Sequence, residues 1–435
     1  MTQGKRKVEK KCKPKEGDNK MKFRIIFVTA LALGISLYGL GGANTYAASI
    51  PAGKTIKVGV FVDLTGFLSS RGIPESEGAK LAVKHLNELG GVRGHKIELK
   101  ILDTRSSVDQ AVIQFQKLAD DPDIVVALGP IMSGATMLVR PFAAKARLPF
   151  SAWSAGTPIT EGPYKEWEYT FTQGPSWDQT MCRAEMKFMK DTLGVKKVGM
   201  LVQNEAFGLS GAKVFEKFAP EYGFKIVGRE LHGQKDTDVT PQLAILKSKK
   251  PDAVWSFPSG IVNVIIYKNY RALGMQNKIP ICGPQNYGET EIIKAAGQAS
   301  VGGIFMSVLA AEDPDPTRPG FGGRAQPEIC AEWLKLHGYP ASDCVVDGYE
   351  GIQMVVATLE KIIDAGGDPF DGATFKEAME TLDIMSLGGP LRWSKTNHRG
   401  HPVEAFGMSV VDHNRRRVRW EHRSDDVYPQ FKKGL

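Results

Sequence analysis

The chain has 435 residues, enough for two lobes with full cores and too many for one average domain. Its formal charge is +8, but residues 1–47 hold ten of the 56 Lys/Arg and only three of the 48 Asp/Glu (Glu9, Glu16, Asp18), which leaves 46 against 45. A body so close to neutral has no global field for a polyanion, and a nucleic-acid partner is excluded on that ground.

The basic leader reads as an export signal. Lys22 and Arg24 precede the apolar run Ile25–Leu40, and small residues follow in Thr45-Tyr46-Ala47-Ala48, so cleavage is expected after Ala47. Met21-Lys22-Phe23-Arg24 would make a more typical beginning than Met1. The run is short and glycine-containing for a spanning helix, and no cysteine beside the cleavage point offers a lipid attachment site. A periplasmic protein is the expectation.

Strand-like runs then alternate with helix-like runs. Strands are expected at Ile56–Val62, Lys96–Leu102, Ile124–Leu128, Pro149–Ala152, Lys197–Val202, Phe224–Gly228, Ala253–Phe257 and Ile279–Cys282. Helices are expected at Glu75–Leu89, Val108–Ala119, Ala135–Ala146, Asp178–Leu193, Leu209–Phe218, Gln242–Ser248, Val262–Leu273 and Glu289–Ala296. This βα rhythm predicts parallel sheets wound on both faces, an α/β fold. A helical block (Pro327–Leu336, Val346–Ala365, Ala373–Leu382) precedes hairpin-like strands at Pro390–Trp393, Ala405–Val411 and Val418–Trp420, with a turn at Asp412-His413-Asn414. The alternating run Arg415–Arg419 reads as a solvated edge.

Two strand ends carry recognition chemistry. Leu128-Gly129-Pro130-Ile131-Met132-Ser133 ends a buried strand and puts Ser133 where it would cap the next helix, whose free N–H groups suit a carboxylate. The neighbouring end, Trp153-Ser154-Ala155-Gly156-Thr157, adds hydroxyls and small residues, the makings of a polar crevice at the edge of an open sheet.

Beyond these, the order of segments carries a resemblance. It runs from Ile56–Ser107 through the Gly90–Gly94 turn, Ser133, Ser154, Asn204-Glu205-Ala206-Phe207-Gly208 and Gly283-Pro284-Gln285 to Gly388-Gly389-Pro390-Leu391-Arg392-Trp393. In that order the chain resembles the type I periplasmic solute-binding proteins of branched-chain amino acid ABC importers, the leucine/isoleucine/valine-binding class. The resemblance implies two doubly wound α/β lobes with a ligand cleft between them, joined by crossovers near Gly174, Met306 and Phe406. Lobe 1 would take 53–174 plus 307–406, and lobe 2 would take 175–306 plus 407–435. It implies a monomer that closes on a small molecule and docks on a membrane permease with its ATPase subunits, using no cofactor. It also implies that Ser133 and the 153–155 segment hold the ligand carboxylate and that Phe207 packs against the ligand.

The departures bear on the cargo. Amino-acid binders of this kind place an acid after Gly-Pro to grip the ammonium; here Gln285 is neutral. Arg71 stands where they carry a tyrosine, Ala155 lacks the expected hydroxyl (Ser154 or Thr157 could supply it), and a further ligand tyrosine falls near Ser259. An ammonium buried without an anion costs several kcal/mol, so the expected cargo is an organic or aromatic acid rather than an amino acid. Arg71 is expected to face the acid, with Trp153, Trp177 or Phe207 stacking on its body. Each tryptophan equally suits an ordinary core position, and Arg71 a solvated loop. The alternatives are an amino-acid binder of the same class and a ligand-sensing regulator that shares the fold.

No P-loop, HExxH, GxSxG or dinucleotide GxGxxG occurs, so no enzyme is expected. No CxxC spacing suggests zinc, and His398 with His401 is the only close histidine pair. Cys330 and Cys344, fourteen apart in an exported chain, are candidates for a local disulfide, while Cys182 and Cys282 are expected to be buried and unpaired.

Overall fold

The computed structural model describes residues 50–154, 156–173, 177–307, 314–402, 407–420 and 426–431, with backbone alone at 177–181. The expected signal segment and the crossings at Gly174 and Phe406 lie outside those residues.

Five parallel strands, β1 (Ile56–Val62), β2 (Ile97–Asp103), β3 (Ile124–Leu128), β4 (Phe150–Ala152) and β5 (Thr170–Thr172), form a sheet in the order β2-β1-β3-β4-β5. The apolar runs of β1 and β3 are buried almost throughout, as expected of strands covered on both faces, while β2 at the sheet edge is mostly half-buried. Helices α1 (Ser69–Glu88), α2 (Val108–Ala119) and α3 (Ser133–Ala146) connect the first four strands. The chain then builds a second sheet through α4 (Trp177–Asp191), β6 (Lys197–Gln203), α5 (Ala206–Tyr222), β7 (Lys225–His232), α6 (Thr240–Ser248), β8 (Ala253–Phe257), α7 (Val262–Ala272), β9 (Ile281–Gly283), α8 (Thr290–Ala296) and β10 (Gly303–Ser307).

It next returns to the first lobe as α9 (Gln326–His337), α10 (Asp343–Asp364), α11 (Gly372–Met379) and the hairpin β11 (Asp383–Ser386), β12 (Gly389–Arg392). Trp333, Tyr349 and Leu391 of this block share one core with Val58, Val60 and Phe171. Last come β13 (Gly407–Val411), antiparallel to β10, and β14 (Arg417–Arg419), which complete a seven-stranded sheet in the order β14-β13-β10-β9-β8-β6-β7. Its core gathers Met200, Trp255, Cys282, Ile304, Val410 and Trp420. The result is the expected α/β architecture of two doubly wound lobes.

The differences from expectation have local causes. α1 starts at Ser69, six residues before the predicted Glu75, because the Leu68 carbonyl accepts from Arg71 and Gly72 N–H and starts the spiral ahead of Pro74. Arg71 therefore stands on the first turn of α1 and not in a loop. β5 is three residues long and β11 is a four-residue, half-exposed strand, so neither has a long apolar run to announce it. Of the basic run, Arg417 turns inward and donates to the carbonyls of Gly288 (3.3 Å) and Ala341 (2.7 Å), which corrects the solvated-edge reading at that residue.

α1 and α10 cross at contact distance. A Cβ on Gly348 would overlap the Glu75 carbonyl, and one on Gly78 the Val345 carbonyl, so only glycines permit this approach. Cys330 and Cys344 do not pair. Cys344 is buried in the first turn of α10 within the field of Arg71 and its carboxylates, where burial pushes its thiol well above the ordinary range. Cys330 packs half-buried from α9 against the lobe-one core. Cys182 and Cys282 are buried and in no disulfide, and the Cys182 thiol donates to the Gly211 carbonyl at 3.5 Å.

Candidate functional site

The carboxyl ends of the parallel strands of both sheets face one another across a cleft of about 470 Å³, its open mouth included. Lobe one contributes Leu68 and Arg71 after β1, Ile131, Met132 and Ser133 after β3, and Trp153 and Ser154 after β4. Lobe two contributes Glu205 and Phe207 after β6, Gln234 after β7, Ser259 after β8, and Pro284, Gln285 and Asn286 after β9. Strand ends beside a reversal of strand order are where open α/β sheets hold ligands.

At the lobe-one wall, Gly129 takes φ +102, and a Cβ there would overlap the Phe61 carbonyl, so glycine is required for the chain to leave β3 toward α3. The cap position falls on Met132 (φ −70, ψ 122), one residue before the expected Ser133, and no side chain caps the helix. Ser133 Oγ instead accepts from the Gly156 N–H at 3.2 Å and ties the end of β4 to the start of α3. The first turn of α3 thus presents main-chain N–H groups without a side-chain acceptor, an anion-favouring arrangement. Thr136 Oγ1 donates to the Met132 carbonyl at 3.1 Å, so its 2.5 Å contact with Ser154 uses the Ser154 proton and leaves that oxygen as an acceptor.

Trp153 is buried, and its Nε1 has no partner. Thr157 is buried in the turn Thr157–Thr160 away from the cleft lining. Arg399 fixes that turn by donating to the carbonyls of Gly156 (3.3 Å) and Thr157 (2.6 Å) and to Thr160 Oγ1 (2.8 Å). Ala155 and the Trp177 side chain lie outside the described residues.

On the lobe-two wall, Phe207 stacks on Phe257 with centroids 4.4 Å apart. Glu205 caps α5 by accepting from the Gly208 N–H at 2.9 Å, and burial raises its pKa. The Ser259 N–H and hydroxyl are both spent on Gln203 Oε1, at 2.5 and 3.1 Å. Gln285 opens the turn Gln285–Gly288, is 4% exposed, and has neither amide atom satisfied. Beside it, Asn286 Nδ2 donates to the Pro258 carbonyl at 2.8 Å while its Oδ1 has no partner. Unmet donors (Gln285 Nε2, Trp153 Nε1) and acceptors (Gln285 Oε1, Asn286 Oδ1) therefore stand around the cleft, and buried polar atoms left so cost about 1–3 kcal/mol each.

Arg71 reaches the cleft with its charge already matched. Its guanidinium meets Glu75 at 2.9 Å, Glu289 at 3.3 Å and Asp347 at 3.4 Å, all buried. The free cation expected for an acid is thus a shared one. Burial raises the pKa of Glu75, Asp347 and Glu289, the last to about 7, with Arg71 opposing in each case. The i,i+4 partner Glu75 was in view in the sequence; Glu289, 218 residues away, had no local signal.

His398 and His401 hold separate structural posts: His398 stacks on Phe171 at 3.9 Å and meets Glu380, and His401 meets Glu350 at 3.0 Å. Among the described residues no cluster of His, Cys, Asp and Glu could hold a metal ion.

A family model described as periplasmic binding protein matches residues 55–414. A Leu/Ile/Val-binding protein homolog 7 from Brucella melitensis biotype 1 is 24% identical over 396 residues, covering 86% of this chain and 94% of its own. A solute-binding protein of an ABC transporter from Rhodopseudomonas palustris BisB5, solved with 3,4-dihydroxybenzoic acid, matches with TM-score 0.71 and 24% identity over 82% of this chain and 93% of its own. The branched-chain amino acid transporter substrate-binding protein LivJ from Streptococcus pneumoniae, solved with isoleucine, matches with TM-score 0.72 and 21% identity over 84% and 100%.

Proposed function

The chain belongs to the periplasmic binding protein family, a family of binders and not of enzymes, and we propose that it captures a small carboxylic acid lacking an α-amine for an ABC importer. The observation that carries this reading is Gln285: a neutral amide, buried in the cleft with both polar atoms unsatisfied, where an ammonium would need an anion. An amide can donate to or accept from a ring or chain hydroxyl, but it cannot offset a buried positive charge.

In this reading the carboxylate lies at the first turn of α3, where N–H groups and the helix dipole favour it by about 0.3–2 kcal/mol. The body of the acid lies between Trp153 and Phe207, with Trp153 Nε1, Gln285 and Asn286 available to ring hydroxyls. Ser133 and Ser154 shape the carboxylate end, and Arg71 borders it with its charge shared among Glu75, Glu289 and Asp347 rather than as a lone counter-ion. A bound acid bridging both walls would favour the closed arrangement of the lobes. In this reading the protein works in the periplasm, which the family match and the expected export signal support, and it delivers its cargo to a permease with ATPase subunits.

One observation favours a second reading, an amino-acid cargo: Glu205 lines the cleft and would face an ammonium. It already accepts from the main chain at the start of α5, which ranks this reading second. A thermal-shift screen of amino acids, aliphatic acids and aromatic acids separates the two. A ligand at a hundredfold its Kd stabilises by about 2.7 kcal/mol. Shifts confined to acids without the amine support the proposal, and shifts confined to amino acids overturn it.

A further inference from the structure

Glu289 lies just before α8, on the lobe-two side, yet its carboxylate is buried against α1 of lobe one. Ser70 Oγ donates to its Oε2 at 3.0 Å and Arg71 Nη1 to its Oε1 at 3.3 Å. Glu75 from α1 and Asp347 from α10 press on the same guanidinium, and Gly348 and Gly78 hold those two helices at the close approach this needs.

The site is over-supplied with negative charge. One arginine faces three carboxylates, and Glu75 Oε2 is buried with no partner at all. Asp63 approaches from the end of β1, Asp343 and Glu350 come from α10, the Cys344 thiol is neutral, and the further buried cation, Arg417 of β14, donates to the Gly288 and Ala341 carbonyls rather than to this cluster's three carboxylates in any bond described above. Glu350 is itself engaged with His401. Without Glu289 the lobe-one cluster holds two carboxylates on Arg71. Meeting the other lobe adds a third, and a buried excess of charge is relieved most cheaply by protonation from solvent.

We propose that Glu289 is a positioning residue for ligand capture: by joining Arg71, Glu75 and Asp347 from the opposite lobe, it couples closure of the cleft to the uptake of a proton. The sign follows from the burial. A solvated Glu289 in the open form titrates near its ordinary 4.5, and the buried one near about 7. The closed form is therefore favoured below the lower value and loses that advantage as pH rises through the upper one, by at most about tenfold in the open-to-closed ratio per pH unit. Acidification promotes capture, and alkaline conditions promote release.

The inference rests on the reading of the molecule as a closing two-lobe binder, but its test needs no ligand, so loss of ligand binding and loss of the proton response are separate results. Small-angle X-ray scattering of the ligand-free protein between pH 5 and pH 8.5 reads the separation of the lobes. The unmodified protein should be more compact at the acid end. Glu289→Gln keeps the size and hydrogen-bonding capacity of the residue without its charge, and should be compact and nearly pH-independent. Glu75→Gln, with one competing carboxylate removed, should move the transition to lower pH. An unmodified protein whose dimensions do not change with pH overturns the proposal. So does a Glu289→Gln variant that retains the full pH response, since a merely structural role would shift both ends of the curve together.

Discussion

Gln285 meets the cleft with a neutral amide, so changing its charge while keeping its shape asks directly what the site will accept. Gln285→Glu should lower the affinity for an acid cargo of the proposed class by more than about a hundredfold, because two like charges then share a desolvated cleft. Calorimetric titration measures the change, and an affinity within a few-fold of the unmodified protein would contradict the role given to this residue. Arg71 has a different function. Arg71→Met should cost about 3–5 kcal/mol of stability by leaving three buried carboxylates without their cation. Those carboxylates have raised folded pKa values, so the loss should be larger at pH 8 than at pH 5 in urea denaturation. Glu185 offers a second pH test. It is buried against Trp255 Nε1 at 2.6 Å with its other oxygen unpartnered, and burial raises its pKa to about 8. A folded pKa above the unfolded 4.5 withdraws stability as pH rises toward 8, so Glu185→Gln should raise the melting temperature at pH 8 and leave it nearly unchanged at pH 5. The sequence put Ser133, Trp153 and Ser154 in the cleft from their strand ends, and Phe207, Ser259 and Gln285 there through the family resemblance; all six line it. It missed Glu205 and Asn286, each a neighbour of a residue singled out, and Glu289 across the lobes. A buried carboxylate paired to an arginine 218 positions away looks, in sequence, like any surface glutamate.

Among the elements, α1 and α10 set the geometry around the cleft. Their crossing is governed by Gly78 and Gly348, where a single added methyl would meet main-chain oxygen on the facing helix. Gly348→Ala should therefore destabilise by about 1–3 kcal/mol. It should also weaken ligand binding, since Asp347 and Glu75 would be moved relative to Arg71; chemical denaturation and titration together check both effects. Strand positions were legible in β1, β3 and β8, where an apolar run buried on both faces shows in the composition, yet the equally buried β10 was missed. They were illegible in β5, where three residues suffice, and in β11, whose four half-exposed residues pair with β12 beside it. The start of α1 was misplaced by Pro74, which reads as a helix opening but sits inside the helix. That shift moved Arg71 from a loop to a helix turn and changed its chemistry from a free cation to a shared one.

At the scale of the whole molecule, two sheets present the carboxyl ends of their parallel strands to a common cleft, and every lining residue comes from a strand end or the helix start that follows it. This arrangement makes the protein a binder whose selectivity rests on a few side chains while the sheets hold them in place. The α9–β12 return to the first lobe gives that lobe the covering helix α10, without which Arg71 and Glu75 would have no partner in Asp347. The central claim, that the cleft holds a carboxylate and has no place for an α-ammonium, is tested most directly by a matched pair differing only in the amine. Isothermal titration of the purified protein with 4-methylpentanoate and with leucine provides it. The acid should bind at least about tenfold more tightly, a difference of about 1.4 kcal/mol; tighter binding of leucine would contradict the account.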